Sequence, residues 1–228
     1  MTIAWRAVRQ VRASGEVAAQ IVRAFFDERL QPGEWLGTEA ELAERFGVSR
    51  VTIRDAVGAL SARGLVDVRV GARGGLRIAR SDPDRLTDAF SIQLGLMGLS
   101  REELLEALQA IEPHTTALAA GRASTDQLRE LSGLVERSRA LLDDPAGFTR
   151  NGVDFHQAIA DASGNRALCA LLGSLRGTQL EQLSPLTTHQ VAQHVVNSHA
   201  AILDAITARD AAQASQRMAD HLARIAAV

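Results

Sequence analysis

Apolar residues recur through the first third of the chain with a helical period. Val17, Ile21, Val22 and Phe25 share one face of a segment that Ser14 can cap and that runs to about Leu30, where Gln31-Pro32-Gly33 stops it. TEAELAERF predicts a second, short helix: Thr38 is the N-cap, Glu41 three residues later completes a capping box, and Gly47 ends it. Ser49 opens a third helix. Turning 100° per residue puts Ile53, Ala56, Val57 and Leu60 on one side of it and Arg50, Val51, Arg54, Asp55 and Gly58 on the other, with Thr52 on the flank. Gly64 suits a left-handed C-cap after Arg63, and LVDVRV and GGLRIA alternate around GARGG as a β-hairpin does.

From Ser81 the pattern becomes Asp-Pro-Asp and then nearly uninterrupted amphipathic helix, with breaks at 98–100, 121–125, 143–147, 163–165 and 184–188. This predicts six helices between residues 85 and 228. Pro113 lies inside the one that starts near Arg101 and predicts a kink or a break, because proline lacks an N–H and its ring collides with the preceding turn. The expected fold is mainly α: three helices and a hairpin over residues 1–80, then an all-α bundle over 81–228.

Composition narrows the setting. A chain of 228 residues with 46% hydrophobic content can fill packed cores in one or two domains. Cys169 stands alone, so no internal disulfide can form, and no apolar run approaches the ~20 residues that a membrane span needs. MTIAWRAVRQVRASGE is basic but has no apolar core or small-residue cleavage site, which predicts a cytoplasmic protein with no membrane partner. The net charge of −2 hides an asymmetry. Residues 1–80 hold 13 basic and 9 acidic side chains, and the remainder 12 and 18, so the two parts are expected to do different jobs. All 25 basic residues are arginine, the residue suited to bidentate contact with phosphate or carboxylate, although a biased genome gives the same count.

The third helix offers two arginines near its N-terminal end, after a tight turn at Gly47, with small neighbours that let it sink between phosphates. That combination suits the major groove, where an arginine fork matches guanine O6 and N7. Arg73, flanked by Gly71, Gly74 and Gly75, can reach a minor groove or a phosphate from the hairpin, and Arg6, Arg9 and Arg12 can trail along the duplex. The run GEWLGTEAELAERFGVSRVTIRDAVGALSARGLVDVRVGARGGLRIA closely resembles the winged helix-turn-helix domain of the GntR family of bacterial transcription regulators, over roughly residues 14–79. The resemblance implies that Ser49, Arg50, Thr52 and Arg54, with Arg73 and Gly74 in the wing, contact double-stranded DNA. Many members carry an arginine where this chain has Ala40, so Arg45 is the candidate to supply that contact.

Three histidines stand out in the helical part. His156 shares a face with Ile159 and Ala160, His199 with Val195, Val196, Ile202 and Ile206, and His221 with Met218 and Ile225. A single inward histidine is more often a hydrogen-bonded core residue than a ligand, but three that converge can share a divalent metal, with Zn, Ni, Mn and Fe all chemically suitable. FHQAIADASGN, followed by His199 and by His221 in the last helix, resembles the effector domain of the FadR-type (FCD) branch over about residues 84–228. That branch implies a metal held by these histidines together with an aspartate four residues before the first. This chain has Gly152 there; Asp154 lies about 200° around the helix from His156, and Asn151 is one step out of phase. Relatives often carry an arginine four residues before Glu112 to grip an effector carboxylate, and this chain has Leu108. The effector-binding candidates are therefore Glu112 and Arg176. An acyl chain, a less anionic metabolite, or an organic acid held by the metal and Arg176 all stay open.

The expected protein is a metabolite-responsive transcription regulator with no catalytic residues. It acts as a homodimer on a near-palindromic operator, with recognition helices ~34 Å apart, and its ligand relieves repression. A metal-dependent hydrolase and a pure metal sensor are the alternatives that the three histidines allow.

Overall fold

The computed structural model describes residues 11–27, 30–71 and 74–227. It divides into two compact units, one closing at Asp82 and the other opening at Pro83.

The first unit contains α1 (Val11–Asp27), β1 (Trp35–Gly37), α2 (Glu39–Phe46), α3 (Arg50–Ala62), β2 (Val66–Arg69) and β3 (Gly75–Ile78). Ser14 lies within α1 rather than capping it, because the helix already includes Val11, and Leu30 is outside it. The capping box of α2 forms: Thr38 accepts from the Glu41 N–H at 3.2 Å, and its own N–H donates to Glu41 Oε2 at 2.7 Å. Gly47 takes φ 66° and donates to the carbonyls of Ala43 and Glu44, so the chain turns sharply into α3. The hairpin pairs Val66 with Ile78 and Arg69 with Gly75. β1, absent from the sequence-based expectation, joins the other edge of β3, giving the antiparallel order β1-β3-β2. Val17 and Ile21 of α1, Leu42 of α2, Ile53, Val57 and Leu60 of α3, and Val66 and Leu76 of the sheet form one core.

The second unit is all helix: α4 (Pro83–Met97), α5 (Arg101–Arg122), α6 (Thr125–Ala140), α7 (Pro145–Ala162), α8 (Arg166–Leu183), a 3-10 turn (Ser184–Leu186), α9 (His189–Thr207) and α10 (Ala211–Ala226). Seven α-helices replace the expected six, because the chain also breaks between α9 and α10. Arg209 adopts φ 60° there, and its guanidinium donates to the carbonyls of Ala120 and Ala123 at the end of α5, at 3.1 and 2.6 Å. Those bonds satisfy carbonyls that the helix end leaves open and hold a backbone conformation that arginine seldom adopts. Pro113 does not end α5. Leu104, Leu105 and Leu108 before it and Ala119 and Ala120 after it are all buried, so tertiary packing holds the helix through a residue that costs ~3 kcal/mol in an isolated one. α5 packs along α10 and also touches α7, α8 and α9, which makes it the spine on which the site is built.

Candidate functional site

α3 carries the charged face foreseen for it. Ile53, Ala56, Val57 and Leu60 are buried, while Arg50, Val51, Arg54, Asp55 and Gly58 are exposed. Ser49 is the N-cap: its hydroxyl accepts from the Thr52 N–H at 3.1 Å and lies 2.9 Å from the Thr52 hydroxyl, so these two candidates order the start of the helix that presents the arginines. Arg45 is exposed in the last turn of α2. Gly74 closes the wing turn by donating to the Gly71 carbonyl at 2.8 Å, and a Cβ there would come 2.5 Å from the Arg69 carbonyl oxygen, so a larger residue would force the turn open. Arg73, Arg6 and Arg9 lie outside the described residues, as does the side chain of Arg12.

One feature of this face escaped the sequence reading. Arg54 is paired with Glu39 of α2, which raises its pKa further through the hydrogen bond they share. Val51 stands exposed beside the arginines, as its place on the outward face predicted, an apolar side chain on a polar surface.

In the helical unit His156 of α7, His199 of α9 and His221 of α10 converge. His199 Nε2 lies 3.2 Å from His156 Nε2 and 3.3 Å from His221 Nε2, and all three nitrogens fall within 4.8 Å of one another. Nitrogens bound ~2.0–2.1 Å from one ion stand about 2.9–3.4 Å apart in octahedral or tetrahedral geometry; the two separations from His199 fall in that range, and the remaining pair lies within 4.8 Å. His199 and His221 are buried, and burial, with their neighbours adding to it, holds both pKa values well below the usual imidazole range. Both are therefore neutral at neutral pH, the form that binds metal. Phe155 stacks on the His199 ring at 4.3 Å and fixes its plane.

Glu112 occupies a place that helical spacing did not reveal. Its Oε2 is hydrogen-bonded to His156 Nδ1; a carboxylate there accepts from the Nδ1–H tautomer, the one that leaves the Nε2 lone pair facing the other histidines. Its Oε1 is buried without a partner, as is His199 Nδ1. Gly152 leaves open space beside the cluster, since a Cβ there would meet nothing nearer than His199 Cε1 at 3.8 Å. Neither neighbouring polar residue compensates. Asn151 turns away to the Leu134 carbonyl and the Ser138 hydroxyl, both at 2.8 Å, and Asp154 pairs with Arg176 at 2.6 Å.

The histidines form one wall of a cavity of about 80 Å³, whose other walls include Leu105, Leu108, Val153, Leu183, Val195 and Ile225. Thr149, Gln179 and Thr187 are its remaining polar groups beside Glu112 and the histidines. Among the described residues no arginine lines it. Arg176, expected to grip an effector, is held outside by Asp154 and does not reach the cavity.

Both halves of this arrangement have counterparts. Residues 13–74 match the bacterial regulatory proteins of the gntR family, and residues 103–224, more than half the chain, match the FCD domain. The chain belongs to the GntR family, in its FCD-type branch. It is 27% identical to the HTH-type transcriptional repressor NanR of Enterobacter sp. (strain 638), over 97% of this chain and 87% of that one. It is 29% identical to NanR of Escherichia coli (strain K12), over 93% and 81%. The solved structure of Streptococcus agalactiae GntR matches with a TM-score of 0.61 and 25% identity, covering 94% of this chain and all of that one. This GntR-family protein is thus a DNA-binding transcription regulator that responds to a metabolite, with its gntR-type domain in the first unit and its FCD domain in the second. Among the described residues no helix is long and apolar enough to cross a membrane.

Proposed function

We propose that the protein is a repressor that binds a near-palindromic operator as a homodimer and lets go when a small molecule fills the cavity beside His156, His199 and His221. The observation that carries the proposal is the convergence of three imidazole nitrogens, two of them on buried neutral rings, on one wall of an otherwise apolar cavity. Three such nitrogens suit Zn, Ni, Mn or Fe in the divalent state. An ion held there would supply a Lewis-acidic charge to an oxygen or nitrogen of the effector. The ligand this favours is compact, largely apolar and tipped by one or two donor atoms. An organic acid has no arginine to meet in this cavity, so its carboxylate would have to face the histidines.

Repression is the sense carried by the names of the NanR relatives. On the DNA side Arg50 and Arg54 would read bases, with Ser49, Thr52, Arg45, Arg73 and Gly74 settling the backbone of the duplex. Support for a dimer comes from α4, where Leu86, Phe90, Ile92, Leu96 and Met97 are all exposed and span a broad apolar arc of the helix. Ligand can change DNA affinity only by binding one arrangement of the protein better than another.

The test has two arms. Selection from a randomised duplex pool should enrich an inverted repeat with half-sites a helical turn apart, ~10 base pairs. Metal analysis of the purified protein should find a divalent ion that His199→Ala removes while the fold persists by circular dichroism. A pool that enriches no sequence refutes the operator reading, and metal content unaltered by His199→Ala removes that residue from the proposed ligands.

A further inference from the structure

The pair between Glu39 and Arg54 has a geometry that bears on which base is read. Arg54 Nε donates to Glu39 Oε1 at 3.4 Å, and Nη2 donates to Oε2 at 2.9 Å. The carboxylate therefore lies along the side of the guanidinium. Two of the five N–H donors are engaged, and those left are both hydrogens of Nη1 and one of Nη2. These form the end-on fork, the edge whose spacing matches guanine O6 and N7. Glu39 is the more covered partner, its side chain 29% exposed against 69% for Arg54, so the carboxylate has less room to move than the arginine it meets.

The pair has little else to do. An exposed ion pair of this kind contributes little to folding. The start of α2 is already satisfied by Thr38 and Glu41, so Glu39 is not needed as a cap, and its negative charge in the first turn adds only a small favourable interaction with the helix dipole. A carboxylate placed beside the face that meets phosphate would, through its charge alone, oppose DNA binding. Its presence there calls for a compensating gain. Arg50, on the same face, makes no comparable pair among the described residues, so of the two arginines only Arg54 is held in one orientation before it meets a base.

We propose that Glu39 is a positioning residue for sequence readout: it holds Arg54 side-on so that the end-on fork is presented, already ordered, to one guanine in each half-site. The proposal rests on the operator reading above. An arginine fixed before binding loses less freedom on making a bidentate contact, and the gain falls on the matched base alone. The carboxylate is thus expected to lower affinity for DNA in general while raising it for the right sequence.

The experiment uses the full chain as wild type, Glu39→Ala, Glu39→Gln and Arg54→Ala, each confirmed folded by circular dichroism. A randomised duplex pool is selected with the wild type, and affinities for the enriched duplex and for an unselected one are measured by fluorescence anisotropy at fixed salt. Glu39→Ala should bind the enriched duplex about 5- to 20-fold more weakly, a part of the worth of one bidentate contact, while holding the unselected duplex as well or better. It should lose its preference for guanine over adenine at one symmetry-related pair of positions, the same pair at which Arg54→Ala loses it. Glu39→Gln, which keeps the shape and one acceptor, should fall between. Adding Glu39→Ala to Arg54→Ala should cost nothing further.

Tighter binding of both duplexes by the same factor in Glu39→Ala would make the carboxylate a charge brake and overturn the proposal. An unchanged guanine preference would do so too, because Arg54 would then need no holder. If the wild type enriches no sequence, the operator reading fails first and takes this inference with it; if the wild type enriches a sequence and the variants match it, only the inference fails.

Discussion

Glu112→Gln isolates the contribution of the one carboxylate bonded to the histidine cluster. The substitution keeps the volume of the side chain at a buried position and removes its charge. A carboxylate can only accept, so it selects the tautomer with the proton on Nδ1 of His156 and the Nε2 lone pair toward His199. With glutamine, the amide can turn and donate to Nδ1 instead, which puts the proton on Nε2, where it blocks a ligand. Loss of such an outer partner typically weakens metal binding 10- to 100-fold, or about 1.4–2.7 kcal/mol.

That loss has a direct thermal readout. Zinc held at 100 times the wild-type Kd stabilises the native state by ~2.7 kcal/mol; at the same concentration a 10-fold weaker variant gains ~1.4 kcal/mol and a 100-fold weaker one ~0.4 kcal/mol. At roughly 2–4 °C per kcal/mol for a chain of this size, the zinc-induced rise in Tm should shrink from about 5–11 °C to about 1–6 °C. The assay is a thermal melt of metal-stripped protein with and without zinc, paired with a chelator competition that gives Kd itself. The Tm without metal serves as the control for packing. A zinc-induced shift equal to that of the wild type would refute the orienting role of Glu112 and leave it an ordinary buried hydrogen bond.

Three other outcomes follow from the same geometry. Gly152→Asp places a carboxylate where nothing but His199 Cε1, at 3.8 Å, approaches the new Cβ, and it should tighten zinc binding by at least ~10-fold by calorimetric titration; weaker binding would show that the wall cannot take the side chain. Metal-free protein should lose stability as pH falls through about 6.5. His199 and His221 have folded pKa values below the unfolded one, so the unfolded chain binds more protons in that window, and urea midpoints should rise with pH there and flatten above it. The Cys169 thiol is pushed up to about 12 by burial and by its bond to Asp161, so it should react sluggishly with a thiol reagent at about pH 8, and Asp161→Asn should speed the reaction about tenfold; a fast wild-type thiol would contradict the assignment.

What could be read from the chain depended on how far apart in sequence the interacting residues lie. The capping box at Thr38 and Glu41, the left-handed turn at Gly47 and the buried face of α3 involve residues within a turn or two of one another, and side-chain type plus period is enough to place them. β1 was missed because three residues, Trp35–Gly37, are too few to show alternation. The break before α10 was missed because it has neither glycine nor proline; the left-handed turn falls on Arg209, stabilised by carbonyls nearly ninety residues earlier. Pro113 failed as a breaker for a related reason, since the packing that overrides it comes from helices remote in sequence.

The candidate site divides in the same way. Each histidine could be assigned an inward face from its local spacing, but convergence is a property of three helices together, and only the fold brings their ring nitrogens within reach of one another. Gly152 could be recognised as the place of a missing carboxylate only through the resemblance to the FCD branch, which implies an aspartate one turn before His156. No periodicity links α5 to α7, so nothing in the spacing could reveal that Glu112 bonds His156 from the opposite nitrogen. The two positions are not equivalent: a carboxylate at Gly152 would meet a metal directly, whereas Glu112 acts on the ring that would meet it. A chain that lacks the first and keeps the second would hold a metal ion with histidines alone, leaving on the Gly152 side the coordination position that an effector would need.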